Sequence, residues 1–265
     1  MRVSEIVGVV SGRLKEAGVP GHLLDAELLV AHALGTDRQG LLTGRDRSLA
    51  DDELRRIGRL AGRRERFEPV AYILGRREFY SLDFIVNRHV LIPRPETELL
   101  VDMAIYYAKM NARFLDIGTG SGAVAVAVKH ARRDLEVHAT DISAGALAVA
   151  RKNAARMTGR GSVRFHRGDL FEAVRGMKFQ VIAANPPYVD PAVAPSLQRD
   201  LSFEPGIALY AGDEGRETAG RIIGESGDHL EGNGVLIMEI GADMEDFVRE
   251  SGSRRGYEVS VLNDY

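Results

Sequence analysis

The chain of 265 residues sets 35 Lys and Arg against 38 Asp and Glu, a formal charge of −3, with 45% hydrophobic residues and no cysteine. This composition supports a packed core, gives no bulk attraction to nucleic acid or anionic membrane, and excludes disulfide frameworks, thiolate metal sites and a cysteine nucleophile. Polar residues interrupt the apolar pattern from Met1 to Gly18, and no run approaches the roughly 18 apolar residues of a membrane span, so the expected address is the cytoplasm.

Residues 4 to 66 read as helices. Ile6, Val9, Val10 and Leu14 recur at helical spacing, followed by Leu23, Leu24, Leu28, Leu29, Val30 and Leu34, then Leu54, Ile57 and Leu60. Breaks fall at Gly18 to Gly21 and around Gly44 to Asp52, and no strand pattern intervenes, which predicts a small helical-bundle domain over residues 1–67. Arg55, Arg56, Arg59, Arg63, Arg64 and Arg66 make the last helix basic at one end, either as a contact face or, more simply, as a solvated one balanced by nearby acids. Residues 68–95 read as a linker. Glu78 to Val86 is short, aromatic and β-branched, as in a β-hairpin, and Pro93 and Pro95 stiffen the chain so that a helix starts only at Glu96 and runs to Lys109.

From residue 96 to 265 strands and helices alternate. Strands are predicted at Arg113 to Ile117, Glu136 to Thr140, Val163 to His166, Gln180 to Ala184, Val235 to Ile240 and Glu258 to Leu262. Near-continuous apolar strands separated by helices imply an α/β, doubly wound, mostly parallel sheet whose ligands lie at the strands' carboxyl ends.

Two constellations fall at such ends. The first strand runs into Asp116-Ile-Gly118-Thr119-Gly120-Ser121-Gly122, where three glycines allow a tight turn and close approach to a ligand at a helix N-terminus. The second strand ends in Asp141, whose carboxylate can accept from both hydroxyls of a ribose. The third leads to Gly168-Asp169-Leu170, which offers an adenine ring a polar edge contact and an apolar face. These features fit a nucleoside, and a dinucleotide fold is the rival because Gly118, Gly120 and Ala123 satisfy G-x-G-x-x-G/A.

The fourth strand ends in Asn185-Pro186-Pro187-Tyr188. Two prolines fix the backbone and remove two donors, leaving carbonyls as acceptors beside the Asn185 side-chain carbonyl. Such a corner can accept both hydrogens of a planar NH₂ group, raising electron density on a nitrogen otherwise weakened by conjugation. Tyr188 supplies a wall for the planar carrier. No side chain here is a strong base; if the ligand of the first cradle carries a methyl on a sulfonium, in-line transfer would depend mainly on positioning.

Together, Asp116 to Gly122 and Asn185 to Tyr188 resemble class I S-adenosylmethionine-dependent methyltransferases acting on amide or exocyclic nitrogen. The flanking segments Pro69 to Gly75, Glu78-Phe-Tyr80, Val90 to Glu98 with its Ile-Pro-Arg-Pro-Glu-Thr-Glu string, Phe203-Glu-Pro205 and Asp25-Ala-Glu27 resemble the release factor glutamine methyltransferases, the HemK/PrmC family, over essentially the whole chain. The resemblance implies S-adenosyl-L-methionine as cofactor, S-adenosyl-L-homocysteine as product, and the Gln of the Gly-Gly-Gln motif of class 1 peptide-chain release factors as methyl acceptor. It implies cofactor contacts from Gly118, Thr119, Gly120, Ser121, Gly122, Asp141, Leu170 and Asn185, to which the strand-end reading adds Asp169. It also implies a substrate site at Asn185, Pro186, Pro187 and Tyr188, with Asn185 and Pro186 catalytic, and a release factor docked with help from the N-terminal helices. The implied partner is a protein, with no direct nucleic acid and no membrane. The seven histidines lack metal-ligand spacing, so no metal is expected.

One departure stands out. Such sheets close with a seventh, antiparallel strand, and this sequence stops at Asn263-Asp-Tyr265, as in a truncated chain. Adenine-N6 DNA methyltransferases share the Asn-Pro-Pro-Tyr motif but call for a basic groove and a sizeable target-recognition segment, neither of which is visible. A non-catalytic adaptor with a retained fold is the other alternative.

Overall fold

The computed structural model describes residues 1–263 apart from Leu197. It resolves into two compact units, one comprising Met1–Gly75 with Arg199–Phe203, the other Arg76–Gln198 with the chain from Glu204 onward. In the first unit five helices follow one another: α1 (Val3–Glu16), α2 (His22–Leu34), α3 (Arg38–Thr43), α4 (Asp51–Arg64) and α5 (Val70–Leu74). Each boundary has a local cause. Gly21 and Gly35, in the left-handed region at φ 67° and 66°, bracket α2. The Asp37 carboxylate accepts from the Gly40 amide at 2.7 Å to open α3. The first turn of α4 carries Asp51, Asp52 and Glu53 and its last turn Arg63 and Arg64, matching the helix dipole at both ends.

Val10, Leu14, Leu29, Val30, Ile57 and Ala61 form the fully buried centre of this bundle. Leu23 and Leu24, which fit the apolar spacing, instead face outward, because the buried stripe of α2 runs through Ala26, Leu29, Val30 and Ala33. The basic end of α4 is only partly a solvated face. Arg64 is 4% exposed and gives its Nε to Asp25 at 2.7 Å, with Nη1 2.8 Å from Asp200. Arg199 stacks its guanidinium 3.8 Å from the centre of the Phe67 ring.

The second unit opens with a hairpin, β1 (Arg76–Phe79) and β2 (Leu82–Ile85), whose two turn residues Tyr80 and Ser81 both have positive φ, as the twist of a two-residue hairpin requires. There follow α6 (Glu98–Tyr107), β3 (Arg113–Ile117), α7 (Ala123–Ala131), β4 (Glu136–Asp141), α8 (Ala144–Met157), β5 (Val163–Arg167), β6 (Phe179–Ala184), α9 (Glu217–Ser226), β7 (Leu230–Met238) and α10 (Glu245–Arg254). A 3-10 turn over Pro95–Thr97 precedes α6, so the regular helix begins after the position the sequence suggests, since Pro95 favours the first turn but supplies no N–H.

Five parallel strands form one sheet in the order β5-β4-β3-β6-β7. Its two faces bury separate sets of side chains. Phe114, Val137, Ala139, Val181 and Ala183 pack with α7 and the hairpin's Phe79 and Phe84, whereas Leu115, Ile117, Ile182 and Ala184 pack with Phe171 and Ile222. This is the expected doubly wound α/β sheet. One expected strand is corrected. Glu258 to Leu262 makes no ladder among the described residues, although its residues alternate as a strand would. The segment is held by side chains instead: the Tyr257 hydroxyl meets Ser226 Oγ at 2.7 Å, and Val259 fills the space beside Gly252. Alternation describes a half-buried extended segment and cannot supply the hydrogen-bonding neighbour that makes a strand.

Breaking the buried Arg64 pairing has a predictable cost. Burial holds the Asp25 carboxyl above its usual range despite the opposing bond from Arg64. Arg64→Met keeps the aliphatic volume but strands that carboxylate, and should lower unfolding free energy by about 3 kcal/mol, as for one partner lost from a buried pair. Urea titration followed by helical circular dichroism measures it; a change below about 1 kcal/mol, the worth of an exposed pair, contradicts it.

Candidate active site

Parallel pairing sets the site. Ile117 at the end of β3 is in register with Ala184 at the end of β6, so the next residues, Gly118 and Asn185, leave the sheet side by side. Adjacent strands lie about 4.8 Å apart. Here the strand order reverses direction, β4 and β5 lying to one side and β7 to the other, and such a switch point opens a crevice at the carboxyl edge.

Gly118, Gly120 and Gly122 all take positive φ, so the loop between β3 and α7 needs glycine at each. Their surroundings differ. A Cβ placed on Gly118 meets nothing within 4 Å, and one on Gly120 touches only the Gly118 carbonyl at 3.9 Å, leaving room for a ligand against the backbone. A Cβ on Gly122 would lie 3.1 Å from that of Ala150, so this glycine lets α7 and α8 approach. Thr119 and Ser121 are buried. The Thr119 hydroxyl donates to Asp116 at 2.6 Å, and the Ser121 carbonyl accepts from Asn153, which also holds β2 through both backbone groups of Ile85.

Asp141 anchors the loop. Its Oδ2 accepts from the Gly120 amide at 2.9 Å and its Oδ1 from Ser143 at 2.8 Å, while its carbonyl accepts from Gly168 at 3.2 Å. Each carboxylate oxygen keeps a further lone pair, which is the acceptor set a vicinal diol needs. Burial raises the Asp141 pKa, and the two amide bonds partly oppose this. Leu170, at φ 43°, packs partly buried at the edge of the core, and Asp169 pairs with Arg221 of α9 at 2.6 Å. The second, third and first strand ends are therefore joined by hydrogen bonds into one structure.

The charge pattern does not suit a pyrophosphate. Asp116 is buried and accepts from the Ala125 amide in the first turn of α7, occupying the place an anion would take. The amides of Thr119, Gly120 and Gly122 bond to Thr140, Asp141 and Thr119 respectively. With Asp116 filling the helix N-terminus and these amides already bonded, the loop offers little to a pyrophosphate, and a neutral or cationic nucleoside fits it better.

The Asn185 corner is equally constrained. The Ala184 carbonyl accepts from Glu239 at 3.0 Å, and Val189 exchanges bonds with Leu209 and Ala211 at 3.0 Å each. Gly215, at φ 86°, lies so close under the loop that a Cβ there would sit 2.2 Å from the Tyr188 carbonyl oxygen. The Tyr188 ring lies over Gly241, where a Cβ would be 3.5 Å away. Pro186 is buried; Asn185, Pro187 and Tyr188 remain partly accessible. Asn185 Nδ2 donates to Thr97 Oγ1 at 3.0 Å, and that hydroxyl donates to Glu239 at 2.7 Å.

The flanking segments converge as well. The 2% exposed side chain of Glu204 accepts from the Ile92 amide at 3.0 Å and from Arg94 at 2.6 Å, clamping the Ile-Pro-Arg-Pro segment. Sequence reasoning assigned no role to Thr97, Glu204 or Glu239. Thr97 and Glu204 stood inside segments quoted as blocks, and Glu239 stood at a strand's carboxyl end, where the position itself was the available signal. His138 and His166 stack with 3.0 Å between ring nitrogens, and the described residues hold no cluster of three metal-ligating side chains.

Asp116 gives a pH signature. Burial raises its pKa from 3.8 to about 7, while the Thr119 and Ala125 bonds pull the other way. The folded chain thus binds this proton more tightly than the unfolded chain, and the contribution of Asp116 to stability falls as pH rises from about 4 to about 7, with no further change above. Relative to wild type, Asp116→Asn should become progressively more stable across that window in urea titrations; parallel curves for the two proteins contradict this.

Comparison with known proteins agrees with the geometry. Residues 5–75 match the PrmC N-terminal domain model and residues 96–200 the methyltransferase small domain model. The chain is 40% identical over 241 residues to the release factor glutamine methyltransferase of Koribacter versatilis, covering 89% of this chain and 85% of the relative. It is 37% identical to that of Geobacter sulfurreducens, over 96% of this chain and 89% of the relative. A methyltransferase from Pyrococcus furiosus shares the fold, with a TM-score of 0.53, 22% identity, and coverage of 69% of this chain and 82% of that one. By sequence over nearly its full length, this chain belongs to the release factor glutamine methyltransferase family.

Proposed function

We propose that this protein transfers a methyl group from S-adenosyl-L-methionine to the side-chain amide nitrogen of the Gln in the Gly-Gly-Gln motif of class 1 release factors. The observation that carries the reading is the adjacency of Gly118 and Asn185 at the ends of paired strands, where a glycine loop tied to Asp141 leaves the sheet beside an acceptor-rich corner. When bound, S-adenosylmethionine supplies a methyl carbon already activated by its sulfonium and leaves as S-adenosylhomocysteine.

The chain's own residues do the positioning. Asp141 receives the ribose hydroxyls, Gly118 and Gly120 let the backbone approach, and Asp169 and Leu170 contact the adenine edge and face. Thr119, Ser121 and Gly122 shape the cradle from behind. The carboxylate of Asp141 suits a cation and disfavours a phosphate. At the corner, Asn185 Oδ1 and the Pro186 carbonyl each accept one hydrogen of the glutamine amide. This orients the nitrogen lone pair and returns electron density that conjugation withdraws. Pro187 stiffens the corner and Tyr188 covers the amide plane. As the new N–C bond forms the nitrogen gives up one proton to water, so no strong base is needed. Such catalysis is orientation plus electrostatics.

The N-terminal helical domain, residues 1–67, receives the release factor, and residues 96–265 hold the chemistry, with the linker and hairpin of 68–95 between them. The substrate being a translation factor, the enzyme works in the cytoplasm; no helix among the described residues is long and apolar enough to cross a membrane.

Incubation of a release factor with the enzyme and S-adenosylmethionine should add one methyl to the Gly-Gly-Gln peptide, read by mass spectrometry. A methylated adenine in DNA, or no product on either substrate, overturns the reading in favour of the alternatives. Asn185→Ala should reduce turnover by roughly 100-fold or more while leaving cofactor affinity nearly intact; unchanged turnover contradicts the assigned role. Asp141→Ala should weaken cofactor binding in calorimetry by at least about 1.5 kcal/mol, the worth of one hydrogen bond to a charged group, and equal affinity removes the ribose assignment.

A further inference from the structure

The bonds around Asn185 form a chain with a direction. Thr97 lies at the end of the 3-10 turn before α6, Glu239 directly follows β7, and Asn185 directly follows β6. Thr97 is 5% exposed. Its hydroxyl has a single hydrogen, and that hydrogen goes to the Glu239 carboxylate at 2.7 Å, the stronger acceptor within reach. The side of the hydroxyl oxygen facing Asn185 therefore carries lone pairs, and it accepts from Nδ2 at 3.0 Å.

An asparagine amide turned through 180° would bring Oδ1 against that same oxygen. Two acceptors would then face each other without a hydrogen between them, in a site closed to water on the Thr97 side. Only one orientation of the Asn185 amide satisfies all three groups, and in it the NH₂ end is held by Thr97 while the carbonyl end is left outward. A free amide has no such preference, since its two ends are nearly equal in shape.

We propose that Thr97 and Glu239 are positioning residues for methyl transfer: the carboxylate polarises the threonine hydroxyl so that Asn185 presents its carbonyl oxygen, and never its NH₂, to the incoming amide. This deepens the functional reading above and rests on it, because the orientation matters only if the substrate donates hydrogens at this corner. The same chain excludes a substrate group that offers an acceptor there. Glu239 also donates its backbone N–H to the Ala184 carbonyl, so one residue sets both the height of the corner and the sense of its side chain.

The test compares Thr97→Val, which keeps shape and loses the hydroxyl, with Thr97→Ser, which restores it. Thr97→Val should lower kcat by roughly 10- to 100-fold, as expected for a misoriented catalytic group, with KM for the release factor and affinity for S-adenosylmethionine changing by less than about twofold. Thr97→Ser should recover most of the loss. Glu239→Ala should act in the same direction, and Thr97→Val should add nothing in an Asn185→Ala background, because all act through one amide. A second readout needs no turnover. In ¹⁵N spectra the Asn185 side-chain amide, identified by its disappearance in Asn185→Ala, should exchange its hydrogens slowly in wild type and Thr97→Ser and at least about tenfold faster in Thr97→Val. Wild-type inactivity on release factor with this exchange pattern intact sinks the functional reading and spares the relay. Turnover and exchange in Thr97→Val both matching wild type, or full additivity with Asn185→Ala, overturn the relay itself.

Discussion

The parallel register of β3 with β6 is the constraint from which the site follows. Ile117 paired with Ala184 means that a glycine loop and an Asn-Pro-Pro-Tyr corner leave neighbouring strands at the same height. The buried, largely apolar sequences of these two central strands hold the register, and packing on both faces prevents a slip, which would turn Leu115 and Ile182 toward the wrong layer.

Around that register the polar groups are arranged to hold loops still. Asp141 spends one lone pair of each oxygen on the backbone, and in the proposed reading the rest receive the ribose. Asp116 is buried beneath the loop and binds Thr119 and Ala125. Asn153 joins the loop to the hairpin, and Glu204 joins Ile92 to Arg94. Buried polar groups are costly unless satisfied, so each of these bonds also penalises loop movement. A methyl transfer that relies on alignment needs such stiffness more than it needs a strong base.

Much of this was legible in the sequence, and the failures have physical causes. The parallel strands stood out because strands buried on both faces have few polar residues, and the glycine loop and Asn185 corner stood out because their residue types are poor choices for anything but a special backbone or an acceptor. Glu258 to Leu262 alternates as a strand does, yet pairing requires a neighbour, which local pattern does not encode. Arg64 lay in a run of arginines that reads as a solvated face; its burial depends on Asp25 and Asp200, remote in sequence. Thr97 and Glu239 are of ordinary types, and their roles arise only where three distant segments meet. Contacts among residues far apart in the chain are what a single sequence carries least visibly.

The most direct measurement is a crystal structure of the protein with S-adenosylhomocysteine and a peptide containing Gly-Gly-Gln. The account predicts the glutamine amide nitrogen about 3 Å from both Asn185 Oδ1 and the Pro186 carbonyl oxygen, normal hydrogen-bond lengths, with its free face turned toward the sulfur and the ribose on Asp141. A glutamine side chain lying elsewhere, or Asn185 meeting it with Nδ2, contradicts the account.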